Sequence, residues 1–160
     1  MSAIKYLRLK ILFSTVLLLM FFCCDKKDSK NKFSSTNPEE ITFIGLSNVG
    51  GELGYYKIIK ITQNSIFLET GTTANQKHDK WQKEISPETW KNLISSIKIK
   101  DLSQIESSQS IQPIDGIDET FQVKTTKKSH IYVNAYNDIH YKQFETLKLK
   151  LENILPKNHQ

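Results

Sequence analysis

Arginine is almost missing from this chain: Arg8 is the only one in 160 residues. Beyond it there is no planar guanidinium fork to grip phosphate, carboxylate or a guanine edge through two hydrogen bonds, so lysine carries every other positive charge. Cysteine is confined to the neighbours Cys23 and Cys24. That excludes an intrachain disulfide framework, a thiol nucleophile and a zinc–thiolate site from everything that follows. Histidine occurs four times, at His78, His130, His140 and His159. No two stand at i and i+4, and none belongs to an H-E-x-x-H helix, so a histidine zinc site is not expected.

What the chain does have begins at its first residue. Lys5, Arg8 and Lys10 form a basic head, Ile11 to Phe22 an apolar run broken only by Ser14 and Thr15, and Cys23-Cys24 close it. The run is well short of the roughly 20 residues that cross a bilayer, and its basic flank is N-terminal; this is the pattern of an export signal.

With Phe21-Phe22-Cys23-Cys24 at its end, the leader resembles that of bacterial lipoproteins, in which an apolar or small-residue box precedes a Cys that is lipidated and becomes the mature N-terminus. Phe21 departs from the family's box, where Leu is commonest. Cys24 is the better acceptor, because it leaves compact Cys23 before the cut where Cys23 would leave bulky Phe22. The resemblance covers only about residues 1–28 and implies palmitate-type acyl chains on Cys24. Each buried methylene adds about 0.8 kcal/mol of membrane affinity, so several chains would anchor the protein permanently in a bacterial cell envelope, its domain outside the cytoplasm. The alternatives are an uncleaved membrane anchor, or a cut past both cysteines that frees a soluble protein. Heavy use of Lys, Ile and Asn with three alanines (Ala3, Ala74, Ala135) suggests an AT-rich genome of the Bacteroidota-like kind.

Removing residues 1–23 leaves 137, enough for one small domain with a core of its own. Of the 22 basic residues three lie in the leader, so 19 face 17 acids in the remainder. That near balance, without arginine, argues against a nucleic-acid partner. Residues 24–40, reading CDKKDSKNKFSSTNPEE, are too polar to offset their conformational entropy and make a tether from the lipidated Cys. Its lysines, Lys26, Lys27, Lys30 and Lys32, are diluted by Asp25 and Asp28. The domain then spans 41–156, with 157–160 a tail.

Ile41 to Ser47 is apolar and β-branched, and Asn48 to Gly54 supplies three glycines in seven residues, a loop that needs positive φ or close backbone approach. Tyr55 to Thr62 and Ser65 to Thr70 form a hairpin about Gln63-Asn64, with Asn64 the residue that tolerates left-handed geometry. Gly71 to Gln76 is a loop, and Lys77 to Ile85 alternates as a fourth strand. The glycine loop is no phosphate cradle, since Gly50-Gly51-Glu52-Leu53-Gly54 fits neither P-loop nor G-x-G-x-x-G and leads into a strand.

Ser86-Pro87-Glu88 is a helix start, after which Trp90, Leu93, Ile94 and Ile97 recur at i, i+3, i+4 and i+7. A last helix from Asn137 or Asp138 puts Phe144, Leu147, Leu151, Ile154 and Leu155 on one face, leaves Lys142, Lys148 and Lys150 wet, and stops at Pro156. Lys100 to Ser110 has no steady period; Asp115-Gly116 marks a turn; Phe121 to Thr126 and His130 to Tyr136 form a second hairpin. The order β-β-β(-β)-α-β-β-α, with hairpins in place of crossovers, predicts an α+β fold: a two-layer antiparallel sheet with both helices on one face.

Chemistry is sparse. Asp115, Asp118 and Glu119 are the densest acids but fail the EF-hand spacing, and a hydrogen-bonded turn is the plainer reading. Ser107, Ser108 and Ser110 lie in a loop without a G-x-S-x-G elbow. Tyr55, Tyr56, Trp81, Tyr132 and Tyr136 lie on the expected strands, and alternation sends some to a face that helices leave open, a surface suited to binding. The reading is therefore a membrane-anchored envelope lipoprotein without cofactor or metal, a non-catalytic binding module of accessory, inhibitor or immunity type. Its partner is an envelope protein or glycan. The alternative is a small envelope hydrolase that uses Asp115 or Asp118 with His130, and it requires those groups to converge in a cleft.

Overall fold

Ile44 and Leu46, Ile59 and Ile61, and Ile66 and Leu68 stand two apart on successive strands and turn to one side, and this shared parity builds the sheet. The computed structural model describes residues 38–112 and 115–157. The leader 1–23, Cys24, the tether up to residue 37 and the tail from residue 158 lie outside the described residues. Strands β1 (Ile41–Gly50), β2 (Tyr55–Thr62), β3 (Ser65–Thr72) and β4 (Lys77–Glu84) form a meander. Helix α1 (Pro87–Ile94) follows, then the hairpin β5 (Ile117–Thr125) and β6 (Ser129–Val133), then helix α2 (Lys142–Glu152). The sheet order is β4-β3-β2-β1-β5-β6, antiparallel throughout, so the second hairpin docks on the free side of β1 and makes β1 central.

The register aligns the apolar sets. Ile44 stands opposite Ile61 and Val123, Leu46 opposite Ile59 and Phe121, and Ile59 and Ile61 opposite Leu68 and Ile66. All eight are buried, together with Trp90 and Leu93 of α1 and Phe144, Leu147 and Leu151 of α2. Both helices therefore cover the same face, the two-layer α+β arrangement that the hairpin pattern predicts. Ile41 and Ile44 break strict alternation, yet both are buried. A register shift against β5 between Ile41 and Phe43 inserts the extra residue that allows it. Among the described residues the core runs from Ile41 to Leu155.

Local chemistry accounts for the ends of the elements. Ser86 Oγ accepts the Thr89 amide at 3.2 Å and Pro87 opens α1, satisfying one orphan donor and removing another. Gly50, Gly51 and Gly54 all take positive φ, as the loop between β1 and β2 demands. Asp115 enters the turn before β5 at φ 65°.

Three expectations need correction. Asn64 is not left-handed; among described non-glycine residues only Gln76, Asp115 and Asn134 are. Thr62 Oγ1 instead closes the β2–β3 turn by accepting the Ser65 amide at 3.2 Å. The last helix starts at Lys142 and not at Asn137 or Asp138. Asp138 is spent elsewhere, its carboxylate accepting the amides of His140 at 2.7 Å and Glu106 at 3.0 Å, which holds the chain in turns until Tyr141. Lys148 is not a wet surface lysine either, since its Nζ sits 2.9 Å from Glu119 and 2.7 Å from the Tyr141 hydroxyl. The aperiodic stretch from Lys100 contributes to the core through buried Leu102 and Ile105, and the Tyr132 hydroxyl donates to the Leu102 carbonyl at 2.5 Å.

Candidate binding face of the sheet

The parity that sends Ile44 and Leu46 to the helices sends Phe43, Gly45 and Ser47 the other way. Their neighbours on that face are Ile58 and Lys60 of β2, Phe67 of β3, Thr120, Gln122 and Lys124 of β5, and Ile131 of β6. No described helix lies on it. At its centre Gly45 leaves a gap. A Cβ there would stand 3.1 Å from Phe43 Cε1, so the missing side chain lets the Phe43 ring lie across its own strand. Around that gap is a shallow hollow of about 170 Å³ between Phe43, Ile58, Thr120, Gln122 and Ile131. Ile131 keeps 60% of its surface exposed, far more than a side chain committed to this domain's own packing.

The charge on this face is of one sign across its central strands. Lys124 Nζ lies 5.0 Å from the Phe43 ring centroid and Lys60 Nζ 5.6 Å from that of Phe67, two cation–π pairs that hold the ammonium groups flat against the sheet. On β2, β1, β5 and β6 the one carboxylate with the same parity is Asp118, and it is withdrawn. It accepts Ser110 Oγ at 2.5 Å, the Ile111 amide at 2.8 Å and Asn134 Nδ2 at 2.8 Å, and is buried beneath the loop that these bonds fasten. The Ser110 and Ile111 bonds, helped by Asn134, hold its carboxyl below the usual carboxylate range. On β3, Glu69 is ion-paired with Lys80 of β4 at 3.6 Å.

The five aromatics singled out from the sequence do not form one surface. Tyr56 alone faces the open side, half-buried against Gly71, where a Cβ would meet its hydroxyl at 2.5 Å. Tyr55 and Trp81 have the parity of the helix side; burial pushes the Tyr55 phenol up, and Trp81 packs against the core. Tyr132 is a buried core residue, 4% exposed, whose hydroxyl is used by Leu102. Tyr136 is exposed but lies on the short 3₁₀ turn Ala135–Asn137, past the end of β6. The open-face rings that sequence reasoning missed are Phe43 and Phe67. Each stands one residue out of phase with a buried Ile (Ile44, Ile66), and that offset was the readable signal.

The hydrolase constellation is not brought together. Asp115 is exposed at its turn and Asp118 is sequestered. His130 stands opposite Val123, five positions along β5 from Asp118 and with the opposite parity, and it stacks on Tyr132 at 6.3 Å between centroids. Five strand residues span about 16 Å. The loop serines are fasteners: Ser107 Oγ accepts the Val133 amide at 3.0 Å and Ser108 donates its amide to the Val133 carbonyl at 2.9 Å. Glu119, adjacent to Asp118, points the other way, toward Tyr141 and Lys148 of the helix layer. There it joins β5 to α2, and burial together with the Glu119 contact pushes the Tyr141 phenol up. Among the described residues no three or more His, Cys, Asp or Glu side chains are grouped so as to hold a metal, and no helix is long and apolar enough to cross a membrane.

No protein-family model matches the chain, and no curated protein matches it.

Proposed function

We propose that this chain is an envelope lipoprotein, held by an acylated Cys24, whose domain is a non-catalytic binding module. The partner is an envelope protein that presents an apolar side chain flanked by carboxylates. One observation carries the binding part: a sheet face that no described helix covers, whose central strands combine a hollow at Gly45, an exposed Ile131 and two ring-seated lysines with no exposed carboxylate. An apolar group entering the hollow removes hydrocarbon from water, while Lys60 and Lys124 select for acidic neighbours and repel basic ones. Leader chemistry supports the anchoring part, because a basic head, a short apolar run and Cys24 are what a lipoprotein-processing pathway reads.

A photo-crosslinking residue placed at Ile131, in the bacterium that makes the protein, tests the face. Leu149, 61% exposed on α2, is the control. A discrete protein adduct from position 131 that is absent at 149 and lost in a Lys60→Glu/Lys124→Glu chain is the expected result. Equal adducts at both positions, or none at 131, would overturn the proposal. Cys24→Ser tests the anchor: the variant should leave the membrane pellet and lose the mass of its acyl chains.

A further inference from the structure

A second concavity lies on the other side of the domain, between α1, the β2–β3 turn and the residues leading into β1. Its volume is about 640 Å³, within the range of pockets that hold small organic ligands. Ile41, Trp90, Ile94, Ile97 and Ile99 line its walls. Trp90, Ile97 and Ile41 are fixed in the core, so the floor is rigid; Ile94 and Ile99 pack against that core and are partly buried, leaving the rest of their apolar surface on the groove.

Its rim carries an uneven charge. Glu39 and Glu40 form one lip and are set in place by β5 and its turn. The Glu39 carboxylate accepts the Thr125 hydroxyl, and the Glu40 backbone is paired twice with Thr126, its carbonyl accepting at 2.8 Å and its amide donating at 3.2 Å. Neither carboxylate has a cationic partner within ion-pair distance among the described residues. One cation, Lys91, stands on the opposite lip, three residues along α1 from Glu88. Side-chain amides of Gln63 and Asn64 complete the rim.

We propose that this groove is a binding site for an aliphatic amine: an alkyl chain along Ile94, Ile97, Ile99 and the edge of Trp90, with its ammonium between Glu39 and Glu40. Two neighbouring carboxylates, of which Glu39 is fixed by Thr125, attract a positive head group and repel a negative one, and the isoleucine walls supply the affinity for the chain. The site is separate from the open sheet face and stands or falls independently of it.

Trp81 and Trp90 are the only tryptophans, so Trp81→Phe leaves one emitter, in the wall of the groove. The full chain carrying Cys24→Ser, to keep it free of acyl groups, and Trp81→Phe would be titrated at neutral pH with octylamine and, separately, octanoate. A saturable change in Trp90 emission with octylamine, at least tenfold weaker with octanoate, is the expected result. In the Glu39→Gln/Glu40→Gln chain the preference for octylamine should vanish. That chain keeps both backbone bonds to Thr126, and its fold is checked by its ligand-free unfolding midpoint. Octylamine should raise the midpoint of the parent and not of the variant. No saturable response to octylamine, equal affinity for the two ligands, or a preference that survives the double substitution would each overturn the proposal.

Discussion

Phe121 of β5 and Phe144 of α2 stack with their ring centroids 4.3 Å apart and their planes 12° from parallel. Both are fully buried, and Tyr132 and Tyr141 close around Phe144 at 5.5 and 6.0 Å. This cluster fastens the second helix to the β5–β6 hairpin, beside the polar join of Glu119, Tyr141 and Lys148.

Removing one ring leaves a cavity that its rigid neighbours cannot close. Phe144→Ala should lower the unfolding free energy by about 3–5 kcal/mol, measured by denaturant titration. A loss below about 1 kcal/mol would mean that α2 is not held by this stack.

Asp118 makes stability depend on acid. Its folded carboxyl titrates below the unfolded value, through its bonds from Ser110 and Ile111 chiefly, so its contribution is present above the unfolded carboxylate pKa of about 3.9 and is lost as pH falls through the folded value. The gap in unfolding midpoint between the parent and Asp118→Asn should therefore be widest near neutral pH and shrink below about pH 4. A gap that stays constant across that range would refute the assignment. Asp138, whose carboxyl is lowered chiefly by the Glu106 amide, leaves some acid sensitivity in both proteins.

Tyr132 is a strut between β6 and the aperiodic segment after α1. Tyr132→Phe deletes only its hydroxyl and should cost about 1 kcal/mol while leaving the Leu102 carbonyl without that donor. Amide exchange should speed up in the segment around Leu102 and not in β2. Uniform acceleration would indicate global loosening instead.

The open face should tolerate charge that the core would not. Ile131→Asp should shift the unfolding free energy by no more than about 0.5 kcal/mol, as surface substitutions do, yet abolish the adduct formed from a photo-crosslinker placed beside it at Gln122. A large destabilisation would show that Ile131 serves this domain's own packing.

Element type and layer order were legible in the sequence because they rest on periodicity, which is local. Ile59 and Ile61 announce a strand, Leu93 and Ile97 a helix, and Ser86-Pro87 its start, each within a few residues. Where a side chain points once a strand joins a sheet depends on a single unit of parity, and Phe43 and Tyr132 show how much turns on it. Phe43 follows a bulge that no local pattern records, and the buried Tyr132 hydroxyl is bonded to the Leu102 carbonyl, 30 positions away in sequence. Asn134 was unreadable for the same reason. Its left-handed backbone is held by a buried amide that reaches Asp118 and receives the Glu119 amide at 2.9 Å, partners that only the β5–β6 pairing brings near.

By itself, then, the sequence determined the α+β order of elements and the absence of arginine and cysteine chemistry from the domain. Tertiary structure alone decided which face stays open, that Asp118 and His130 stand apart, and that Glu39 and Glu40 overhang an apolar groove. The physical reason is range. Hydrogen-bonding period and helix propensity act between near neighbours, whereas burial, charge pairing and cavities arise between residues that meet only after the sheet has closed.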